Sequence, residues 1–177
     1  VSTYALDEYV GLTGDDPRSY RMEITRLLTE PLGIAPHRVH SPDPSDPSGF
    51  DARIRALGGV DLQILGIGRN GHIAFNEPGS SMDSVTRVVP LAAATRVDNA
   101  RFFDSLEDVP THAVTQGIST ILMARRVVMV ASGAAKSAAM KAAFEGPISS
   151  NVPASFLQTH PNVEIIVDED LWGALLD

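Results

Sequence analysis

The sequence predicts an α/β protein whose open, mainly parallel, twisted sheet carries helices on both faces, a Rossmann-like arrangement. Short β-branched or apolar runs alternate along the chain with stretches of helical spacing, which is typical of stacked βαβ units. One run, residues 127–131, is apolar at every position, as expected of a central strand buried on both faces. With 177 residues, the chain is expected to form one domain, residues 1–177, around a full-sized core.

The short apolar runs predict the strands, and the stretches of helical spacing predict the helices. Strands are predicted over residues 3–6, 61–65, 86–89, 127–131 and 163–167. Apolar residues at steps of three and four predict helices over residues 19–28, 50–57 and 112–123, and an Ala-rich helix over residues 134–144. The Pro- and Asp-rich segment 41–48 is short, so it is interpreted as a surface loop and not as a domain boundary.

Composition narrows the functional class. Acidic residues outnumber basic ones by 22 to 14, and the net charge of −8 argues against general nucleic-acid binding. The absence of cysteine excludes disulfides, thiolate metal sites and a Cys nucleophile, and it fits a reducing cytoplasm. No apolar run approaches the roughly 20 residues of a membrane helix. We therefore expect a cytoplasmic protein that acts on a small molecule, with neither a membrane nor a nucleic-acid partner.

Parallel sheets bind ligands at the carboxyl ends of their strands, so the residues after each predicted strand are the candidates. Asp7 and Glu8 follow the first strand. They form either an acidic turn or a general base, since partial burial raises the pKa of a carboxyl group toward a useful value.

A glycine-rich loop follows the second predicted strand. Gly66, Gly68 and Gly71 match the spacing of a dinucleotide fingerprint, but no helix begins at the third glycine, so that interpretation is rejected. The same glycines let the backbone approach a ligand and bring His72 to it, with Glu77 five residues later. An imidazole oriented by a carboxylate can both donate and accept a proton, which favours a catalytic role.

Two basic residues are candidates for binding an anion. Lys136 lies in the first predicted turn of the Ala-rich helix, where free N–H groups and the helix dipole favour phosphate. Arg101 precedes Phe102 and Phe103, which is consistent either with a helix end whose aromatic pair packs in the core or with a phosphate clamp.

Metal binding is not expected. His37 and His40 are three residues apart with no third ligand nearby. His112, on a predicted helix face, and His160, in a predicted turn, are interpreted as structural.

Five segments, residues 6–12, 65–78, 99–103, 132–136 and 157–161, together resemble the glucosamine-6-phosphate deaminase (isomerase) family closely and in the family's order. The run from His72 to Pro78, His-Ile-Ala-Phe-Asn-Glu-Pro, is the most specific part of this resemblance. It implies a cofactor-free conversion of glucosamine 6-phosphate and water to fructose 6-phosphate and ammonia, in amino-sugar catabolism.

The resemblance also implies roles for single residues. The family's match to His72 assists opening of the sugar ring with Glu77 as its partner, and the match to Asp7 moves the C2 proton toward C1. The positions of Arg101 and Lys136 hold the substrate phosphate.

Two departures from the family pattern bear on these roles. Some family members carry Asp at the position of Asn70, where it takes part in the ring-opening relay; Asn cannot accept a proton, so a relay here would run through Glu77 alone. Family members also place a βα region with a phosphate-cradling loop before the Asp7 segment. We therefore expect the sequence, which begins without Met on a strand-like run, to be a fragment.

Two alternatives stay open. A 6-phosphogluconolactonase would need a water-activating His but no C2 base, and a sensor domain would bind a sugar phosphate without turnover. The oligomeric state, monomer or homo-oligomer, does not follow from the sequence.

Overall fold

The computed structural model describes residues 1–176. They form two compact units, each built from two separate stretches of chain. The first unit contains residues 1–54 and 86–116, and the second contains residues 55–85 and the chain from residue 117 onward. Among the described residues, no helix has both the length and the hydropathy that crossing a bilayer requires.

Residues 1–176 contain eight strands, all of them short. They are β1 (Thr3–Tyr4), β2 (Asp7–Tyr9), β3 (Val39–His40), β4 (Gln63–Leu65), β5 (Arg87–Pro90), β6 (His112–Thr115), β7 (Val127–Ala131) and β8 (Val163–Val167). The α-helices are α1 (Tyr20–Ile24), α2 (Pro47–Ala56), α3 (Ala93–Asn99), α4 (Ile118–Leu122), α5 (Ser137–Phe144) and α6 (Glu169–Leu176). A π-helix (Thr25–Thr29) continues α1, and 3-10 turns cover Pro36–Arg38, Ala100–Phe102, Ala134–Lys136 and Pro153–Thr159.

The first unit holds two sheets. Strands β1 and β3 pair in parallel, whereas β2, β6 and β5 form an antiparallel sheet with β6 in the middle. Residues Ala113 and Val114 of the middle strand are fully buried, and Tyr9, Phe50 and Ile54 join the core of this unit.

The second unit contains a parallel sheet in the order β4-β7-β8. As predicted, residues 127–131 form its middle strand, and all of them except Val130 are buried. Leu65, Ile121 and Leu171 complete the core of the unit. The predicted α/β class with parallel strands and helices is thus confirmed, and the antiparallel sheet of the first unit adds to it.

One predicted helix is wrong over its first half. Residues 112–115 form strand β6, and α4 begins only at Ile118. The break falls at Gly117, where an added Cβ would lie 2.0 Å from the carbonyl oxygen of Ser84. Apolar spacing over so short a run fits a helix and a strand equally well, and pairing with β2 and β5 decides for the strand.

Of the two alternatives for Asp7 and Glu8, the acidic turn after the first strand is wrong, and the general base stays a prediction. Residues 7–9 are themselves strand β2, in which Asp7 is opposite Thr115 of β6. The pairing partner lies more than 100 residues away along the chain, so no local pattern could reveal it.

Candidate functional site

The candidate residues fall into a group in each unit, and the glycine loop of the second unit is the more tightly built. This loop leaves β4 at residue 66, and the ring of His72 lies directly over Gly68. A Cβ at position 68 would come within 2.2 Å of His72 Cε1, so any other residue there would displace the imidazole. Gly71 has φ +81°, a conformation that favours glycine, and its N–H closes the turn on the carbonyl of Gly68 at 3.0 Å. Gly66 meets only the carbonyl oxygen of Val130, 4.0 Å away, so space does not require a glycine there.

A carboxylate faces the His72 ring. The distance from His72 Nδ1 to Glu77 Oε2 is 3.5 Å, and the two side chains keep about a fifth of their surface exposed, at 22% and 16%. The Asn70 side-chain amide donates to the same Glu77 oxygen at 2.7 Å, and its own oxygen accepts the backbone N–H of His72 at 3.2 Å. Asn70 therefore holds both members of the pair. In the tautomer with a proton on Nδ1 toward Glu77, Nε2 is left to accept a proton.

The turn between His72 and Glu77 is closed by a buried amide. The Asn76 side chain is fully buried and donates to the Ile73 carbonyl at 3.1 Å. Ala74 adopts φ +51°, which is uncommon for a residue with a Cβ and marks local strain. Backbone hydrogen bonds from Gly79 to Ser150 and from Ala154 to Gly71, both 2.8 Å, tie the loop to the segment 149–154.

Lys136 contacts this loop and lies at the end of the 3-10 turn that precedes α5. Its Nζ donates to the Ile67 carbonyl at 2.8 Å. The N–H of Gly133, at the start of the same turn, donates to both carboxylate oxygens of Asp168, each at 3.0 Å. Part of the anion-binding capacity predicted for this helix start is thus already used by an acidic side chain. The phosphate role of Lys136 stays a prediction.

In the first unit, Asp7 is half-buried on β2, on the face of the strand opposite Glu8. Tyr9 shares the Asp7 face, and its hydroxyl lies 3.2 Å from that of Tyr20, with the two rings stacked at 5.0 Å. Burial raises the pKa of both phenols, and the negative charge of Asp7 adds to both shifts. Both tyrosines therefore stay protonated near Asp7 and can serve as hydrogen-bond donors.

Arg101 is exposed in the 3-10 turn after α3, with its guanidinium carbon 4.7 Å from the centre of the Phe102 ring. The two aromatic residues behave differently: Phe102 is 52% exposed, whereas Phe103 packs edge-on against Tyr9 at 5.6 Å. Of the two, Phe103 therefore anchors this turn. The arrangement leaves Arg101 accessible to an anion, as a phosphate clamp requires.

His160 and His40 have structural contacts. His160 Nε2 lies 2.7 Å from the carbonyl of Ala124, its Nδ1 accepts the N–H of Asn162, and the ring of His40 stacks on Tyr4. His112 lies on β6, not on a helix face as predicted. Within residues 1–176, no three His, Asp or Glu side chains are grouped so that they could hold a metal ion.

Sequence reasoning missed the contributions of Tyr20 and of Glu8. Tyr20 reaches Tyr9 only through the fold. The sequence shows Glu8 only as part of an acidic pair, because its hydrogen bonds to the N–H groups of Tyr20 and Arg21 depend on the packing of α1 against β2.

Comparison with known proteins places this geometry in context. The family described as "Glucosamine-6-phosphate isomerases/6-phosphogluconolactonase" matches residues 1–166. The glucosamine-6-phosphate deaminase of Pseudarthrobacter chlorophenolicus is 51% identical over 181 aligned positions, covering 99% of this chain and 70% of that protein. The corresponding protein of Cutibacterium acnes is 52% identical, covering 96% of this chain and 67% of that protein.

Solved structures agree with the sequence comparison. A monomeric glucosamine-6-phosphate deaminase superposes with a TM-score of 0.94 at 40% identity, covering 98% of this chain and 74% of that one. A 6-phosphogluconolactonase from Trypanosoma cruzi reaches 0.75 at 18% identity over 97% of this chain and 71% of that one, a likeness of fold alone.

Proposed function

The chain belongs to the glucosamine-6-phosphate isomerase/6-phosphogluconolactonase family, as its resemblance predicted, and within that family we propose that it converts glucosamine 6-phosphate and water to fructose 6-phosphate and ammonia. The identity of about half of all positions with deaminases, over nearly the whole chain, carries this proposal. The lactonases are identical to this chain at only about a fifth of positions, and they share only its fold.

The first chemical step is opening of the pyranose ring, which moves a proton from the anomeric hydroxyl to the ring oxygen. We assign this transfer to His72, whose ring is seated over Gly68 and faces Glu77. Glu77 stabilises the imidazolium that forms while His72 holds the proton. Asn70 cannot relay a proton; its amide donates a hydrogen bond that holds the carboxylate of Glu77 in place.

The second step is assigned to Asp7. Once C1 is an aldehyde, the C2–H bond is acidic, and a carboxylate can remove the proton to form a C1=C2 enolamine. Delivery of that proton to C1, together with transfer of a proton from the amine nitrogen to O1, yields an imine at C2 and a hydroxyl at C1. Water adds to the imine and ammonia leaves, so the reaction is balanced without an external oxidant or reductant.

Arg101 and Lys136 stay the candidates for the substrate phosphate. Phosphate binding by Arg is strongest in a bidentate arrangement, whereas Lys acts as a point charge. By overall stoichiometry this is a hydrolytic C–N cleavage coupled to isomerisation. We place it in amino-sugar catabolism in the cytoplasm, the setting that a cysteine-free sequence fits.

A product assay on the full chain tests the proposal. Incubation with glucosamine 6-phosphate should release ammonia and fructose 6-phosphate in equal amounts, and 6-phosphogluconolactone should not be hydrolysed above its spontaneous rate. Lactone hydrolysis without ammonia would favour the lactonase alternative. Binding of glucosamine 6-phosphate with no product of either kind would favour a sensor.

A further inference from the structure

Glu8 is a buried carboxylate that the proposed reaction does not use. Its side chain accepts three backbone N–H groups: Tyr9 at 2.9 Å and Tyr20 at 3.1 Å on Oε1, and Arg21 at 3.0 Å on Oε2. Only 8% of the residue is exposed. Hydrogen bonds to a charged acceptor in such a site are among the strong ones in proteins.

These three donors belong to two different elements. Tyr20 and Arg21 are the first two residues of α1, whose opening N–H groups have no partner within the helix. The N–H of Tyr9 belongs to β2. Its neighbour Val10 donates to His112 of β6, so by alternation the N–H of Tyr9 points to the other edge of the strand. The carboxylate of Glu8 thus joins the free edge of β2 to the start of α1.

The residues on either side of Glu8 are Asp7 and Tyr9, which share the opposite face of β2. Tyr9 in turn contacts Tyr20, the first residue of the same helix. The strand segment that presents Asp7 is therefore held to α1 from both faces, by a carboxylate on one and by a phenol pair on the other.

We infer that Glu8 is a positioning residue: by binding the amides of Tyr9, Tyr20 and Arg21, it fixes the backbone that presents Asp7 to the substrate. The inference rests on the proposed role of Asp7 as the C2 base. A displacement of about 1 Å in a reacting group can cost on the order of 100-fold in rate. Loss of Glu8 should therefore lower kcat and leave KM, which reports binding of the sugar phosphate, nearly unchanged.

The chain offers a matched control. Ser19 caps the same helix through a hydrogen bond from the N–H of Met22 to its Oγ, at 3.1 Å, and makes none of the Glu8 contacts. Ser19→Ala should weaken α1 without releasing β2. We expect Glu8→Gln to lower kcat by about 10- to 100-fold and to keep KM within about threefold of the wild-type value. Ser19→Ala should lower thermal stability about as much as Glu8→Gln does, but should keep kcat within about twofold of wild type.

The outcomes separate the two claims. An inactive wild type would overturn the proposed function. An active wild type whose Glu8→Gln variant keeps its kcat, or whose Ser19→Ala variant loses as much, would overturn the positioning role alone. Should Glu8→Gln fail to fold, amide hydrogen exchange on the wild type decides: protection of the Tyr9 N–H supports the inference, and exchange at the rate of an unprotected amide overturns it.

Discussion

The two units hold their candidate residues by different means. In the second unit, Asn70, His72 and Glu77 lie within eight residues of one another and are joined by hydrogen bonds inside one loop. In the first unit, Asp7 lies on a strand whose position depends on Thr115 of β6 and on α1. One group is organised by short-range contacts and the other by contacts between distant parts of the chain.

This difference predicts how each group responds to substitution. Changes at Asn70, His72 and Glu77 should reach the chemistry directly with little loss of stability, because none of these three side chains is buried in the core. Changes that remove buried side-chain contacts around β2 should affect folding as well, since the pairing of distant segments carries much of the ordering cost.

Asp7→Asn should cause the largest loss of activity. The amide cannot accept a proton from C2, so kcat should fall by roughly 10²- to 10⁴-fold, the range typical of a lost general base. The hydrogen bonds of β2 to β6 are made by the backbone, so the fold and the affinity for glucosamine 6-phosphate should be retained. The rate of ammonia release measures kcat, and calorimetry measures the affinity for glucosamine 6-phosphate. Retention of even a tenth of wild-type kcat would contradict the role of Asp7.

Gly68→Ala should be the most damaging change in the loop. The added methyl would meet the imidazole of His72, so the ring must move and kcat should fall by on the order of 100-fold. Gly66→Ala is the matched control, because its methyl would meet only a carbonyl oxygen at ordinary contact distance. Its kcat should stay within about threefold of wild type, a change small on the scale of a misplaced reacting group. Equal losses in the two variants would show that the loop, and not the His72 ring, is what matters.

Substitutions of Asn70 should lower kcat less than Gly68→Ala does, and one of them should also change the pH profile of kcat/KM. Asn70→Ala removes the donor to Glu77, and we expect a loss of about tenfold in kcat, as for one hydrogen bond of about 1.4 kcal/mol. Asn70→Asp instead places a second carboxyl beside Glu77, and the like charge raises a pKa of the pair. The acidic limb of the pH profile of kcat/KM should therefore move to higher pH. An unchanged limb would argue against a role for Glu77 in the titrating step.

Gln116→Ala should leave chemistry nearly intact and lower stability in the first unit. Gln116 is fully buried, and its side chain donates to the Ala5 carbonyl just before β2, at 3.0 Å. We expect the free energy of unfolding to fall by about 1–3 kcal/mol in denaturant titrations, since a buried acceptor is left unpaired. Gln158→Ala, which removes two hydrogen bonds from an exposed residue, should cost less. A greater loss of unfolding free energy in Gln158→Ala than in Gln116→Ala would contradict this prediction.

The sequence by itself determined the features that depend on neighbouring residues. The α/β class, the middle strand at residues 127–131 and the glycine loop that carries His72 were all predicted, because strand propensity, apolar runs and glycine turns act over a few residues. The place of Gly68 beneath the imidazole was not predicted from the sequence, although its partner lies only four residues away.

Tertiary structure decided the rest. Residues 7–9 became a strand and residues 112–115 left their predicted helix because the two segments pair with each other across more than 100 residues. The contact of Tyr20 with Tyr9 and the binding of α1 by Glu8 arise only after that pairing. The physical reason is that hydrogen bonding between distant strands outweighs weak local preference, and a single sequence carries no record of which strands will meet.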